Sequence, residues 1–336
     1  MRCLTLAQEL ASRGAACSFV TSASTGKVVP ALLQSGFTNV VTEAVDDAVS
    51  IRSQVARDVD WLIIDDYRLA QRFESACRSW AHQILVIDDL ADREHDCDCL
   101  LDQTPSRDSN AYLNLVPEHC RQLLGAEYAL IRQEFIEHRP ASLARQRDAI
   151  HRILVSLGGT DPDNATACVL RGIDASCLQQ TEVDIVLGAA SPNIQNVELL
   201  AQSSPLHCRV HVATQKMASL MAAADVAIGA GGTSSLERCC LGLPSILLVL
   251  ADNQADNARI LASAGAAEVV APVSGSIQAE DIAAALNRLN REPALLTQMS
   301  RSSIALCDGN GTKSVADVIM PTQASEVLIQ EFQPSS

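Results

Sequence analysis

Aromatic residues are scarce in this 336-residue sequence: they make up 3% of it, whereas 48% of the residues are hydrophobic. The cores must therefore consist mainly of Ala, Leu, Val and Ile, which suits Ala-rich helices packed on aliphatic strands. No apolar run reaches the ~18–20 residues that a membrane span requires. The N-terminus also lacks a basic stretch followed by an apolar one. We therefore expect neither a membrane span nor a signal peptide.

Positive charge is also in short supply. The sequence has 25 Lys and Arg residues against 40 Asp and Glu residues, a net charge of −15. Such a field repels nucleic acid and anionic membrane surfaces, so we expect neither as a partner. An anionic ligand would have to be held by local dipoles and a few arginines.

The twelve cysteines contain no Cys-x-x-Cys pair. Cys239 and Cys240 are adjacent within a helical pattern, and Cys97 and Cys99 flank a single Asp. This placement favours reduced, buried thiols in a cytoplasmic protein over a disulfide framework.

Short apolar runs alternate with amphipathic stretches along almost the whole chain. With fully apolar strands, this alternation predicts an α/β fold in which helices cover both faces of parallel sheets. The predicted strands are residues 17–21, 39–42, 61–65, 84–88, 99–101, 153–157, 182–187, 209–213, 226–229, 245–249 and 267–271. The predicted helices are residues 1–13, 26–34, 46–58, 71–81, 163–173, 192–201, 217–223, 234–241, 257–264 and 279–289.

A charged stretch without a strand pattern divides the chain into two doubly wound, Rossmann-like halves. We predict a first domain at 1–138, a linker at 139–151, a second domain at 152–320 and a flexible polar tail at 321–336. A doubly wound domain normally opens with a strand and a glycine turn, but this sequence opens with a helix. Either the start is truncated or misassigned, or the domain begins with a helix.

Two predicted strands run into glycine turns that open helices. The first turn has Gly158, Gly159 and Thr160, followed by Asp161 and Pro162. Glycines let a ligand approach the backbone, and a helix start presents free N–H groups. An ordinary turn with Asp161 as helix cap explains this pattern equally well.

The second turn gives the stronger signal because three hydroxyl residues follow its glycines. Its residues are Gly231, Gly232, Thr233, Ser234 and Ser235. Hydroxyl and N–H groups at a helix start can cradle a diphosphate. Such a cradle would let this acidic chain bind an anion.

Three polar residues near this turn can complete a ligand site. Glu237 can accept hydrogen bonds from both ribose hydroxyls, although a charge that complements the helix dipole or a surface salt bridge is the alternative. Asn253 and Gln254 follow the next strand and suit sugar hydroxyls or acetamido groups, although an Asn at this position is often only a cap.

In the first half, acids follow two strands at the edge where doubly wound sheets bind ligands. Asp65, Asp66 and Tyr67 follow one strand, and Asp88 and Asp89 follow the next. No His lies at a close spacing to these acids, so we expect no metal site.

These residues occur in the order seen in one known family. The matching runs are MRCL at 1–4, DDY at 65–67, IDDLAD at 87–92, LGAEYAL at 124–130, LGGTD at 157–161, residues 229–243, NQ at 253–254 and DGNG at 308–311. Together they resemble the UDP-2,4-diacetamido-2,4,6-trideoxy-β-L-altropyranose hydrolases of pseudaminic acid biosynthesis, in the glycosyltransferase-B-like superfamily.

The resemblance implies two Rossmann-like domains with a cleft between them that takes a small-molecule UDP-sugar. Water attacks the anomeric carbon, the sugar C1–O bond breaks with inversion, and UDP leaves, without a metal or cofactor. The second domain holds UDP through Gly158, Gly159, Thr160, the 231–235 cradle, Glu237 and Gln254. Tyr67 and Asn253 match catalytic positions near the sugar. We expect a monomer.

One family feature is absent from the sequence. In the family, a Gly-x-Gly-His turn precedes the Met-Arg-Cys helix, and its His is the general base. A positioned base contributes ~10²–10⁴-fold in rate, so we expect this polypeptide to bind UDP but to hydrolyse poorly. A glycosyltransferase of the same fold and a non-catalytic UDP-sugar binder remain as alternatives.

Overall fold

The computed structural model describes residues 1–55, 57–250, 254–270 and 277–321, apart from the side chains of residues 27 and 28. The strands are β1 Ser18–Thr21, β2 Thr38–Val41, β3 Val59–Ile64, β4 Ala81–Ile87, β5 Cys99–Asp102, β6 Arg121–Leu124, β7 Arg152–Ser156, β8 Glu182–Leu187, β9 His207–Val212, β10 Val226–Ala230, β11 Ser245–Leu248 and β12 Ala267–Val270. The helices are α1 Arg2–Ser12, α2 Thr25–Val28, α3 Pro30–Gln34, α4 Ala48–Gln54, α5 Gln71–Cys77, α6 Gln133–Leu143, α7 Ala165–Asp174, α8 Ile194–Ser203, α9 Met217–Ala223, α10 Ser234–Cys240, α11 Ala255–Ser263, α12 Ala279–Arg291, α13 Pro293–Leu306 and α14 Gly311–Ile319.

The second half is a six-stranded parallel sheet with the order β12-β11-β10-β7-β8-β9. Its central strands are apolar and buried, because helices cover both faces. Helices α7, α8 and α12 contribute to the core on one face, and α9, α10 and α11 to the core on the other. The chain runs outward from β7 to β9 and then returns to β10, so the strand order reverses between β7 and β10.

The first half has a four-stranded parallel sheet, β3-β4-β5-β6, and a separate parallel pair, β1-β2. Both pack into shared cores: Val20 of β1 lies with Ile64 of β3 in one cluster, and Leu6 of α1 lies with Leu85 of β4 in another. The predicted α/β architecture with parallel sheets is confirmed.

Two helices at the junction of the halves differ from the sequence expectation. Helix α6 covers the beginning of the predicted linker and contains Pro140, whose missing N–H removes one helical hydrogen bond. Only residues 144–151 form an irregular connection. Helix α14 follows the second sheet in the chain, yet Val315 and Ile319 pack with Leu6 and Leu10 in a core of the first half.

The remaining differences involve short or mixed elements. Strand β6 has only two apolar residues, Leu123 and Leu124, so the apolar pattern does not predict it. Helices α13 and α14 are likewise absent from the predicted elements. Seven of the cysteines are buried and one, Cys177, is exposed. Among the described residues, no helix combines the length and hydrophobicity needed to cross a bilayer. The predicted tail lies outside the described residues from residue 322 onward.

Candidate functional site

The two glycine turns predicted from the sequence leave the second sheet side by side. Strands β7 and β10 are hydrogen-bonded neighbours, with Ser156 opposite Gly229 near their carboxyl ends. The turns that follow therefore meet where the strand order reverses. Doubly wound sheets bind their ligands in the crevice at this position.

The backbone of the turn after β7 is open on one side, where no side chain of the described residues covers it. Gly158 has φ +103°, and no heavy atom lies within 4 Å of where a Cβ would stand on either Gly158 or Gly159. On the other side, a Cβ on Gly188 would lie 2.1 Å from the carbonyl oxygen of Gly159, so Gly188 allows a close backbone contact. Thr160 is exposed. The open side can therefore admit a ligand.

The side chain of Asp161 caps the helix that follows this turn, which was the alternative to a ligand-binding role. Its side chain is buried and accepts hydrogen bonds from the backbone N–H groups of Ala165 (2.8 Å) and Thr166 (3.0 Å). These contacts satisfy two free donors at the start of α7. Asp161 therefore caps α7 and fixes the turn.

The turn after β10 is packed at one glycine and open at the next. A Cβ on Gly231 would lie 3.1 Å from the carbonyl oxygen of Gln254 and 3.3 Å from Cβ of Ala258. Around Gly232 the space is open. The side chains of Thr233, which is exposed, and Ser234, which is half-buried, have no hydrogen-bond partner among the described residues. Two hydroxyls and an open glycine therefore stand at the switch point.

Ser235 differs from its two neighbours because its hydroxyl is already used. It is buried, and its Oγ donates to the carbonyl oxygen of Gly232 (2.6 Å). The same Oγ accepts a hydrogen bond from Nδ2 of Asn257 (2.9 Å), which also donates to the carbonyl oxygen of Gly231 (2.5 Å). Asn257 was missed as a site residue. Its position in the first turn of α11, one helical turn after Gln254, was the available signal.

Glu237 is engaged by an arginine from the segment that joins the two halves. Nε of Arg132 lies 2.7 Å from Oε1 of Glu237, and Nη2 lies 3.2 Å from Oε2. The guanidinium also covers the ring of Phe135, at 4.6 Å from its centroid. Burial lowers the pKa of Arg132, but the hydrogen bond and charge of Glu237 raise it above the ordinary value. The two-pronged pair fixes the carboxylate, whose remaining lone pairs can still accept hydrogen bonds.

The last two predicted residues of the second half have different outcomes. Oε1 of Gln254 accepts a hydrogen bond from the backbone N–H of Leu250 (3.2 Å), the second residue after β11. Asn253 lies outside the described residues.

The first half has a charged cluster past the carboxyl ends of β3 and β4. Arg2 lies between two carboxylates, 2.5 Å from Asp65 and 3.0 Å from Asp89. The hydroxyl of Tyr67 donates to Asp89 (3.1 Å). Burial, together with this contact, raises the pKa of Tyr67 to about 12. Asp66 is paired with Arg68 instead (2.6 Å). Tyr67, Asp65 and Asp89 were predicted from the sequence as site residues, whereas Arg2 was not.

A buried network supports the loop that carries Asp89. The hydroxyl of Tyr112 lies 2.9 Å from both Asp88 and Asp102, and all three side chains are buried. Arg107 donates to the carbonyl oxygen of Asp89 (2.6 Å). A phenol has one hydrogen, so it donates to one carboxylate at a time. The network holds the backbone at Asp89 and, through it, the cluster around Tyr67.

A cavity of about 650 Å³ lies at the opposite, amino-terminal end of the second sheet. Four of its charged lining residues are already paired, Arg145 with Asp225 and Arg152 with Glu182. Among the described residues, no three His, Cys, Asp or Glu side chains converge as they do around a metal ion. The switch point, with its unpaired polar groups, is therefore the better candidate site.

A known family model and two curated relatives match parts of this chain. Residues 153–319 match the family model described as "Glycosyltransferase family 28 C-terminal domain". The chain is 29% identical over 176 residues to the spore coat polysaccharide biosynthesis protein SpsG of Bacillus subtilis strain 168, a match covering 52% of this chain and 51% of that protein. It is also 29% identical over 164 residues to the UDP-2,4-diacetamido-2,4,6-trideoxy-β-L-altropyranose hydrolase of Campylobacter jejuni, covering 48% of this chain and 55% of that enzyme. The chain thus spans about half the length of these relatives.

The fold has counterparts among solved structures. The crystal structure of MurG from Acinetobacter baumannii superposes with a TM-score of 0.65 at 17% identity, covering 96% of this chain and 95% of that one. At this identity the likeness establishes the fold alone. The chain has a glycosyltransferase-B-like α/β fold, and its second half matches the C-terminal domain of glycosyltransferase family 28.

Proposed function

We propose that this chain binds a UDP-sugar, with the diphosphate against the backbone of the two neighbouring glycine turns. The observation that carries the proposal is the open space at Gly158, Gly159 and Gly232, side by side where the strand order reverses. No hydrogen bond joins the N–H groups of Gly232, Thr233 or Ser234 to a described residue, so they are available for phosphate oxygens.

The surrounding side chains suit a nucleoside diphosphate. We assign the hydroxyls of Thr233 and Ser234 to the diphosphate and the exposed Thr160 to the edge of the same site. Glu237, fixed by Arg132, accepts from the ribose hydroxyls through its remaining lone pairs. We assign Asn253 and Gln254 to the sugar. Ser235, which we also counted among the direct ligands, serves the turn itself, because its hydroxyl is already bonded.

We propose hydrolysis of the sugar–diphosphate bond as the reaction, with a UDP-linked 2,4-diacetamido-2,4,6-trideoxy sugar of pseudaminic acid biosynthesis as the substrate. Water adds to the anomeric carbon from the face opposite UDP, while the C1–O bond breaks and its electron pair leaves with UDP. Because this sequence lacks the His that serves as base in the family, the attacking water loses its proton to bulk water. Tyr67 and Asn253 orient the water or the acetamido groups. The hydrolase from Campylobacter jejuni supports this substrate class.

Glycosyl transfer is the second candidate because residues 153–319 match a glycosyltransferase domain. In that reaction the hydroxyl of an acceptor replaces water. The described cluster around Tyr67 has two carboxylates for one guanidinium, which disfavours an anionic acceptor such as a lipid diphosphate. Product analysis separates the two reactions: free sugar and UDP indicate hydrolysis, whereas turnover only with an added sugar acceptor indicates transfer.

Calorimetric titration with UDP tests the binding site. Gly232→Asp places a carboxylate in the open space where we put the diphosphate, and we expect it to lower UDP affinity at least about tenfold by charge repulsion. Gln202→Asp, at an exposed position of α8, adds the same charge elsewhere and is the matched control. Equal UDP affinity in the wild type and the folded Gly232→Asp variant contradicts the proposal.

A further inference from the structure

Arg238 of α10 is a buried cation without a carboxylate partner. Its side chain is 1% exposed, and it forms no ion pair with a described Asp or Glu. The carboxylate next to it in the chain, Glu237, is bound to Arg132 instead. Buried charges are normally paired, because leaving water costs a lone ion several kcal/mol. The counter-charge of Arg238 is therefore missing from the described protein groups.

The guanidinium lies directly beneath the second glycine turn. Nη2 donates to the carbonyl oxygen of Ala230 (2.8 Å), the residue before Gly231, and Nε donates to Oγ of Ser245 (3.1 Å). A Cβ on Gly229 would lie 2.6 Å from Nη1. The glycine at 229 thus makes room for the guanidinium, whereas the glycine at 232 leaves room for a ligand.

The charge is retained in this position. Burial lowers the pKa of Arg238 to about 10, which is still well above neutral pH. Two neutral acceptors satisfy part of its hydrogen-bonding capacity but carry no net charge. Because water is excluded around it, its field is weakly screened at the adjacent turn.

We propose that Arg238 is a positioning residue that supplies the permanent positive charge behind the diphosphate and holds the backbone of the turn at Ala230. This inference rests on the proposed nucleotide site. Through its positive charge, and without touching the ligand, Arg238 makes the site prefer a nucleoside diphosphate to the bare nucleoside. It also accounts for anion binding by a chain of net charge −15.

A purely structural role for Arg238 is the rival explanation, and Arg147 provides the matched control. Arg147 is 3% exposed, and like Arg238 it forms no ion pair with a described carboxylate. It donates to the carbonyl oxygen of Ser142 (3.1 Å) and approaches that of Leu241 at the far end of α10 (3.5 Å). Both arginines make hydrogen bonds at an end of α10, but only Arg238 lies next to the turn at Gly231.

The experiment compares the affinities of UDP and uridine by calorimetry in the wild type, Arg238→Met and Arg147→Met, with circular dichroism to confirm folding. We expect Arg238→Met to lower the ratio of UDP to uridine affinity at least about tenfold, because only UDP carries the charge that Arg238 complements. Arg147→Met should leave this ratio within about twofold of the wild-type value. Equal weakening of both ligands in Arg238→Met overturns the proposal and establishes the structural role.

Arg238→Gln keeps the test decisive if the Met variant does not fold, because its amide can still donate hydrogen bonds but carries no charge. We expect it to lower the ratio of UDP to uridine affinity at least about tenfold, and a ratio within about twofold of the wild-type value contradicts the inference. Arg238→Lys, which retains the charge and loses the arginine fork, is the control and should stay within about threefold of the wild-type ratio. A wild-type protein that binds neither ligand refutes the proposed function itself, whereas tight UDP binding with an unchanged ratio in the neutral variants refutes only the role of Arg238.

Discussion

Arg132 and Glu237 form a two-pronged ion pair, with Nε–Oε1 and Nη2–Oε2 distances of 2.7 and 3.2 Å. The arginine lies immediately before α6, the helix that leads from the first half to the second, and the glutamate lies on α10 beside the glycine turn. The pair therefore fixes the carboxylate that we assign to the ribose. It also connects the nucleotide site to the junction between the halves.

Glu237→Gln tests the ribose assignment. The amide keeps the shape but loses the charge and one acceptor oxygen, so we expect UDP affinity to fall about tenfold. The loss should be smaller for 2′-deoxy-UDP, because that ligand has one hydroxyl fewer to donate. Calorimetry with both nucleotides measures the difference.

The matched control for this change is Glu134→Gln. Glu134 is the other carboxylate on Arg132, at 2.6 Å, but it does not belong to the turn. We expect it to leave UDP affinity within about twofold of the wild-type value. If both variants bind UDP equally well, Glu237 has only the salt-bridge role.

Asn257→Ala tests whether the turn must be held in shape. The substitution removes the bonds to the carbonyl oxygen of Gly231 and to Oγ of Ser235. We expect a loss of about 1 kcal/mol in the free energy of unfolding and a clear loss of UDP affinity. Asn196→Ala, which removes an exposed amide contact with Asn164, is the control. Unchanged UDP binding in Asn257→Ala would show that the turn keeps its shape without this support.

The pKa of Tyr67 offers a test that does not require turnover. Burial and the bond to Asp89 raise it from the ordinary 10 to about 12. The difference in tyrosinate absorbance between wild type and Tyr67→Phe should therefore appear near pH 12. Because the folded-state pKa is the higher one, the stability contribution of Tyr67 is present below pH 10 and is lost as the pH rises from 10 through 12. A difference signal centred at pH 10 contradicts the Tyr67–Asp89 contact.

Gly188→Ala tests the backbone of the first turn. The added methyl would lie 2.1 Å from the carbonyl oxygen of Gly159, so either the turn or the loop after β8 must move. We expect a lower melting temperature and weaker UDP binding, both measurable by thermal unfolding with and without UDP. Gly159→Ala, whose methyl meets no heavy atom within 4 Å, should melt like the wild type in the absence of UDP. Equal melting of the two variants would show that the turn is not packed as described.

The alternating pattern was enough to predict the fold of the second half, because its central strands are buried on both faces and read as apolar runs. The sequence pattern does not predict strand β6, because two of its four residues, Arg121 and Gln122, are polar and exposed. The sequence predicts a linker over residues 139–143, the end of helix α6, because Pro140 and the charged residues around it are typical of loops; the buried residues of this helix are Phe135 and Ser142. Long-range contacts such as that of α14 with α1 are not encoded in local periodicity.

The glycine turns were predictable from the sequence, but the hydrogen bonds and ion pairs that hold them were not. Gly231, Gly232 and Ser235 were singled out together as ligand groups, whereas Ser235 turns inward toward Asn257. The partners of these groups lie far apart in the chain. Arg132 is 105 positions from Glu237, and Arg2 is 87 positions from Asp89. No spacing rule predicts such pairs, because only the folded chain brings them together.

Hydrogen–deuterium exchange of the whole protein with and without UDP tests the central claim most directly. If the diphosphate binds against the backbone of the two turns, the amides of residues 157–160 and 231–237 become protected together when UDP is added. Unchanged exchange in both segments at a saturating UDP concentration contradicts the account.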